Sequence, residues 1–294
     1  MSGTPVLFLA GVPKAGTSSL FNWLAHHPQI QGSTDKETCF FADPESHVYR
    51  PEFNAETGIE RFHHAFPAPT GETRLRVEGT PTHIYSRTAL THIPALPDAK
   101  CLFVVRDPAT QIRSIYDYYR NTWDYIPEAM GFSEFVDTVR RGGHDFGGNE
   151  LASRALDYAD YNRWLDPWRA KLGQGRMMVC SFDRLRDDPM GLVHEIAEWC
   201  DLSPEFFRSH TFPVENESYV PKNRVLQRLN IALRGHLPKG RLYDWARRFY
   251  RRANTRAPDR ADDSGVQADL RRHFATANAR LATEYALDLS AWEF

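Results

Sequence analysis

The feature that most constrains the fold is an apolar run that ends in a glycine-bounded loop and continues into a helical pattern. Residues 6–10 read as a buried strand, and residues 17–27 have the period of a helix. Between them, Gly11 and Gly16 have the spacing of the two glycines in the phosphate-binding motif GxxxxGK[ST]. A helix that starts after such a loop presents backbone N–H groups and the positive end of its dipole. The sequence therefore predicts a phosphate cradle at the end of a strand.

Strand-like and helix-like segments alternate along the rest of the chain. The strand candidates are 76–78, 101–105 and 177–181, and the helix candidates are 108–120, 158–172, 190–200 and 270–285. This alternation is typical of a parallel sheet covered on both faces. A chain of 294 residues, 41% hydrophobic and 25% charged, is globular and near the upper size for one core. We expect a single α/β domain over 1–294, a P-loop-like parallel sheet flanked by helices.

The lysine of the loop departs from the pattern of nucleotide kinases. Those enzymes carry Lys directly after the second glycine, whereas this chain has Thr17 there and its lysine, Lys14, lies inside the loop. The sequence PKAGTSSL at 13–20 resembles the PKxGTTxL loop of sulfotransferases that use 3′-phosphoadenosine 5′-phosphosulfate (PAPS). The resemblance implies that the loop binds the phosphosulfate and that Lys14 is also catalytic. The residues it implies are Lys14, Ala15, Gly16, Thr17, Ser18 and Ser19.

A second candidate anion site follows the strand at 101–105. That strand ends in Arg106, and Asp107 with Pro108 has the composition of a helix start. Ser114 lies about two helical turns beyond Asp107, on the face where the strand leaves Arg106. A guanidinium and a hydroxyl suit a phosphate group. An Arg and a Ser eight apart are similar to the family's 3′-phosphate signature, which implies this role for Arg106 and Ser114.

The candidate base lies in KETCFF at 36–41, which resembles the K-E-x-x-F-F element of heparan-sulfate-type and many bacterial sulfotransferases. The resemblance implies that Glu37 is the general base. Because the segment is rich in Phe and Cys, we expect its carboxylate to be partly withdrawn from water.

The competing base is His83, because other branches of the family use a histidine. His83 follows EGTP at 78–81, which is similar to the family's E-K-T-P element except that Gly79 stands in the place of the lysine. The task of that lysine is then vacant, or it has passed to Lys36 or another residue.

Charge is concentrated late in the chain. Residues 222–260 hold 12 Lys and Arg against 2 acidic residues, while the whole chain has a net charge of −2. The sequence SYVPKNR at 218–224 resembles the basic element that closes over the cofactor in this family, which implies that Lys222 or Arg224 touches the nucleotide. The basic segment 222–265 is a candidate lid. A docking surface, a membrane-surface element and an ordinary amphipathic helix packed on the core are open alternatives.

Taken together, the motifs predict an enzyme that moves a sulfuryl group from PAPS to a hydroxyl of a carbohydrate or small-molecule acceptor and releases adenosine 3′,5′-bisphosphate (PAP). A P-loop nucleotide kinase and a non-catalytic nucleotide-binding module are the alternatives. The acceptor would line segments 43–70 and 123–149, which contain nothing that names a sugar, a phenol or an alcohol.

Partners and location follow from composition. The chemistry requires no metal, and the overall charge does not support a nucleic-acid partner. No apolar run reaches the roughly 18 residues of a membrane helix, which predicts no transmembrane segment. The four cysteines are widely separated, so we expect reduced thiols and a cytoplasmic protein.

Overall fold

A computed structural model of the chain describes residues 4–214, 220–223, 226–227, 231, 254–256 and 263–293. They belong to two compact units. The first comprises the described parts of Met1–Gln111, Tyr158–Asn216 and Arg271–Phe294, and the second those of Ile112–Asp157 and Glu217–Leu270. Most of the basic segment 222–265, including Arg224, lies outside the described residues, so the lid stays a prediction.

The first unit is built on a parallel sheet with the strand order β2-β3-β1-β4-β5. The strands are β1 Val6–Gly11, β2 Ile30–Gly32, β3 Leu75–Glu78, β4 Lys100–Val105 and β5 Met177–Ser181. The predicted α/β class with a parallel sheet is confirmed.

Helices connect and flank the strands. In the described residues they are α1 Thr17–Ala25, α2 Arg87–His92, α3 Pro108–Tyr118, α4 Phe132–Arg141, α5 Glu150–Ser153, α6 Ala155–Tyr158, α7 Tyr161–Leu172, α8 Phe182–Asp187, α9 Pro189–Trp199 and α10 Ser264–Tyr285. Short 3₁₀ helices lie in the connections, among them Ile59–Ala65 and Pro81–Tyr85. None of the helices in these residues is both long and apolar enough to cross a bilayer.

The central strands are buried on both faces. Leu7, Phe8 and Leu9 of β1 are fully buried, and so are residues 101–105 of β4. This explains why both strands read as continuous apolar runs rather than as alternating ones.

The topology brings three chain segments to one edge of the sheet. From β1 the chain continues to β2, which lies on the β3 side of β1, whereas β4 pairs with β1 on its opposite side. In open α/β sheets, ligands bind outside the carboxyl ends of the strands at such a switch point. The loop 12–16 follows β1, Glu78 ends β3, and Arg106 follows β4.

The second unit contains most of α3, a π-helical turn at Tyr119–Trp123, α4, α5 and the antiparallel pair β6 Val220–Pro221 and β7 Thr255–Arg256. Its core is aromatic, with Tyr116 against Phe132 and Phe135, and Phe135 against Phe146. Arg113 forms ion pairs with Asp117 and Asp263.

Candidate active site

The loop between β1 and α1 has the shape of an anion cradle. Gly16, the residue before α1, has φ +81°, and a Cβ there would lie 3.1 Å from Phe182 and Leu185 side-chain atoms, so only glycine fits without strain. The first turn of α1 has no acidic residue and no side-chain cap. Its N–H groups, its hydroxyls and the helix dipole therefore all favour a negative charge at this end.

Side chains from beyond β4 hold the loop by its carbonyl groups. The carbonyl oxygen of Pro13 accepts a hydrogen bond from Gln111 Nε2 at 3.0 Å, and that of Lys14 accepts one from Arg106 Nη1 at 2.8 Å. The hydroxyl of Tyr161 lies 2.7 Å from the Arg106 carbonyl oxygen and 3.0 Å from Gln111 Oε1. Because Tyr161 and Gln111 are buried, this network fixes the loop relative to the β4–α3 junction.

Arg106 is a fixed cation beside the loop. Its guanidinium carbon lies 4.6 Å above the ring centroid of Phe182, and its Nε donates to Thr110 Oγ1 at 3.2 Å. Burial lowers the pKa of Arg106, but an arginine in a protein stays protonated. The loop of the first predicted anion site and the arginine of the second therefore touch directly.

Ser114, the other predicted 3′-phosphate ligand, lies on α3 beyond the point where that helix enters the second unit. Its side chain is buried. Lys222 is exposed and also belongs to the second unit, where its backbone N–H donates to the Asn254 carbonyl. The roles of Ser114 and Lys222 stay predictions.

Lys36 and Glu37 lie beside the cradle, in the loop after β2. The Nζ atom of Lys36 lies 2.8 Å from Glu37 Oε1 and 3.4 Å from Thr17 Oγ1. The side chain of Glu37 is 48% exposed, so it is only half withdrawn from water. The reason is local: residues 39–41 turn into the core, whereas Glu37 precedes that turn.

Glu78 anchors the loop that carries Glu37. Its buried carboxylate accepts hydrogen bonds from the backbone N–H and hydroxyl of Thr38, at 3.0 and 2.9 Å, and from the backbone N–H and hydroxyl of Thr80. Nε2 of His83 lies 3.3 Å from Oε2. Burial would raise the pKa of Glu78, but the charge of His83 and these hydrogen bonds outweigh it and lower the pKa to about 2.

His83 lies in the core. Its side chain has no exposed surface, and its ring lies 6.3 Å from the ring of Phe8 and 5.7 Å from that of Phe41. The structure thus places Arg106 against the backbone of Lys14 and places Lys36 beside Thr17 and Glu37, and it leaves His83 next to Glu78 inside.

Comparison with known families decides the class of this site. The model of the sulfotransferase domain matches residues 4–261. The chain belongs to the sulfotransferase family. The resemblance inferred from the motifs is therefore confirmed at the level of the family.

Among curated relatives, this sulfotransferase is 27% identical over 199 residues to mouse heparan sulfate glucosamine 3-O-sulfotransferase 3A1, covering 67% of this chain and 46% of that protein. It is 24% identical over 204 residues to mouse bifunctional heparan sulfate N-deacetylase/N-sulfotransferase 4, covering 69% and 23%. The chain thus spans about half or less of the length of these relatives.

A solved structure shares the fold. The crystal structure of a sulfotransferase from Alicyclobacillus acidocaldarius superposes with a TM-score of 0.65 at 20% identity, covering 99% of this chain and 100% of that one.

Three residues that shape the sulfotransferase loop escape sequence reasoning. Gln111 lies within the RDPATQIRS segment, and its spacing of four from Asp107 is a signal that it faces inward. Tyr161 and Phe182 begin helices distant in sequence from the loop, and nothing local to them indicates this contact.

Proposed function

We propose that the chain transfers the sulfuryl group of PAPS to a hydroxyl group of an acceptor and releases PAP. The observation that carries this proposal is the hydrogen bond from Arg106 to the carbonyl oxygen of Lys14. It sets the arginine predicted for the 3′-phosphate beside the loop predicted for the 5′-phosphosulfate, which supports a ligand that carries both groups on one ribose. Membership of the sulfotransferase family supports the same reaction.

The residues present suit such a donor. Thr17 and Ser18 offer hydroxyls at a helix N-terminus, and Lys14 and Arg106 offer cations of the two kinds that bind phosphate. No acidic side chain lies in the first turn of α1 to oppose an anion.

The proposed roles are those that the motif resemblances imply. Bound PAPS would supply a sulfuryl group joined through a bridging oxygen to the 5′-phosphate. Glu37 takes the proton of the acceptor hydroxyl while the oxygen of that hydroxyl forms the new S–O bond. Lys14 stabilises the electron pair left on the bridging oxygen when the old S–O bond breaks. Glu37 is favoured over His83 because its carboxylate is half exposed, whereas the imidazole is enclosed.

We also propose a carbohydrate or small-molecule acceptor. The relatives named above are heparan sulfate sulfotransferases by their names, which supports the carbohydrate. We propose that the chain works in the cytoplasm. All four of its cysteines are buried, free thiols, as a reducing compartment favours.

Calorimetry with PAP and with ATP, each with and without Mg²⁺, tests the donor. We expect PAP to bind more tightly than ATP by at least tenfold, with no requirement for the metal. A preference for Mg·ATP would instead indicate a nucleotide kinase and would contradict the proposal.

Turnover tests the base. PAP release from PAPS is followed with a panel of sugar, phenol and alcohol acceptors. Glu37→Gln should lower the rate by about 10²-fold or more, the range for a general base, while PAP affinity changes little. Glu72→Gln, which changes an exposed carboxylate outside the segments expected to line the acceptor, is the matched control and should leave turnover unchanged. A variant Glu37→Gln with unchanged turnover would exclude Glu37 as the base.

A further inference from the structure

Gly79 leaves room for the side chain of Lys36. A Cβ built at Gly79 would lie 3.1 Å from Cε and 3.2 Å from Cγ of Lys36, and 3.2 Å from the ring of Phe21. These distances are tighter than ordinary van der Waals contact. The stem of Lys36 therefore lies directly over the backbone of Gly79, and any larger residue there would push it aside. The backbone N–H of Gly79 also donates to the Lys36 carbonyl at 2.9 Å.

The ammonium group at the end of this stem lies between two groups with different tasks. On one side is the hydroxyl of Thr17, the first residue of α1, 3.4 Å away. On the other side is the carboxylate of Glu37, 2.8 Å away. The side chain of Lys36 is only 18% exposed, which restricts where its charge can move.

In an in-line transfer, the migrating group lies between the leaving phosphate and the acceptor oxygen. Thr17 belongs to the helix end that favours the phosphate, and Glu37 faces the acceptor in the proposed reaction. A cation between them is therefore positioned at the migrating group rather than at the phosphate alone.

We propose that Lys36 is a further catalytic residue, which donates N–H hydrogen bonds to the non-bridging oxygens of the sulfuryl group from the space that Gly79 leaves open. This inference rests on the proposed function. Lys36 exchanges no proton in the reaction. It offsets negative charge on the sulfuryl oxygens while the acceptor S–O bond forms, the donor S–O bond breaks, and the electron pair of that bond goes to the bridging oxygen.

The proposal is tested by binding, with PAPS and PAP as probes, because the two differ by the sulfuryl group alone. Calorimetry on Lys36→Met should show PAPS weakened about tenfold and PAP weakened less than threefold. Lys171→Met, at the exposed end of α7, is the matched control and should change neither affinity. Gly79→Ala, which displaces the Lys36 stem, should weaken PAPS relative to PAP in the same direction by a smaller factor. Circular dichroism checks that each variant is folded.

The possible results distinguish a failure of this inference from a failure of the proposed function on which it rests. If the unmodified chain binds neither PAP nor PAPS, the proposed function fails. If it binds both and Lys36→Met weakens them equally or not at all, Lys36 does not touch the sulfuryl group and only the inference is overturned. An unchanged PAPS-to-PAP ratio in Gly79→Ala would overturn the role of Gly79 in making room for Lys36.

Discussion

Replacing Glu78 by glutamine tests whether a buried carboxylate holds the loop of the proposed base. The amide keeps the size of the side chain and one acceptor oxygen. Its NH₂ group, however, faces an N–H of Thr38 or Thr80, which donated a hydrogen bond to the carboxylate and has no acceptor in the variant. His83 also loses the negative charge 3.3 Å from its ring. Each loss leaves a buried polar group poorly satisfied.

Two separate arguments give similar values for the free energy of unfolding that Glu78→Gln should lose. The pKa of Glu78 falls from an ordinary 4.5 to about 2 in the folded protein, which corresponds to about 3 kcal/mol of stability. Removing one partner of a buried ion pair typically costs about 3–5 kcal/mol. We therefore expect Glu78→Gln to lower the free energy of unfolding by about 3 kcal/mol at neutral pH.

Urea denaturation followed by tryptophan fluorescence measures the change. Because the pKa is depressed in the folded state, the contribution of Glu78 is fully present above pH 4.5 and is lost as the pH falls from 4.5 to about 2. The unmodified chain should therefore lose more stability across this interval than Glu78→Gln does. Glu52→Gln, an exposed control, should stay within about 0.5 kcal/mol of the unmodified chain. A loss below about 1 kcal/mol in Glu78→Gln would refute the reasoning.

Four further substitutions address the cradle. Gly16→Ala places a side chain at φ +81° and should cost about 1–2 kcal/mol in urea denaturation, whereas Gly175→Ala, in open space, should be nearly neutral. Tyr161→Phe removes a buried hydroxyl and should cost about 1–3 kcal/mol by the same assay; an unchanged midpoint would mean that its hydrogen bonds do not hold the loop. Arg106→Ala should weaken PAP by about 10–100-fold in calorimetry, since hydrogen bonds to charged groups are worth about 1.5–3 kcal/mol. Lys14→Ala should mainly lower kcat, and the reverse pattern for these two cations would contradict their roles.

The sheet was predictable where a strand is a continuous apolar run, even in β5, which is only partly buried. Residues 6–10, 101–105 and 177–181 were expected as strands, and β1, β4 and β5 match them to within one residue at each end. The short edge strand β2 was not predicted, because three residues with one buried side chain give no periodic signal. The helix at Pro108 was predicted from its start, since Asp107 and Pro108 are typical of a first turn.

The site was predictable only in the parts that are continuous in sequence. The loop motif and RDPATQIRS indicate where anions bind, but not that Arg106 donates to the loop itself. The enclosure of His83 depends on Phe8 and Phe41, which lie far from it in the sequence. The contact of Lys36 with Gly79 likewise joins a residue after β2 to a residue after β3, and no local sequence pattern predicts it.

Because the loop after Glu37 is anchored, the proposed base can reorient only by rotation of its own side chain. The fixed part of the loop begins at Thr38, whose N–H is held by Glu78, so the side chain of Glu37 projects just before an immobile point. A half-exposed side chain changes rotamer in nanoseconds or less, about 10⁸ times faster than a typical turnover of about 10 s⁻¹. Glu37 can therefore leave Lys36 and meet an acceptor proton without any loop opening, and conformational gating by this segment would contribute nothing to the rate.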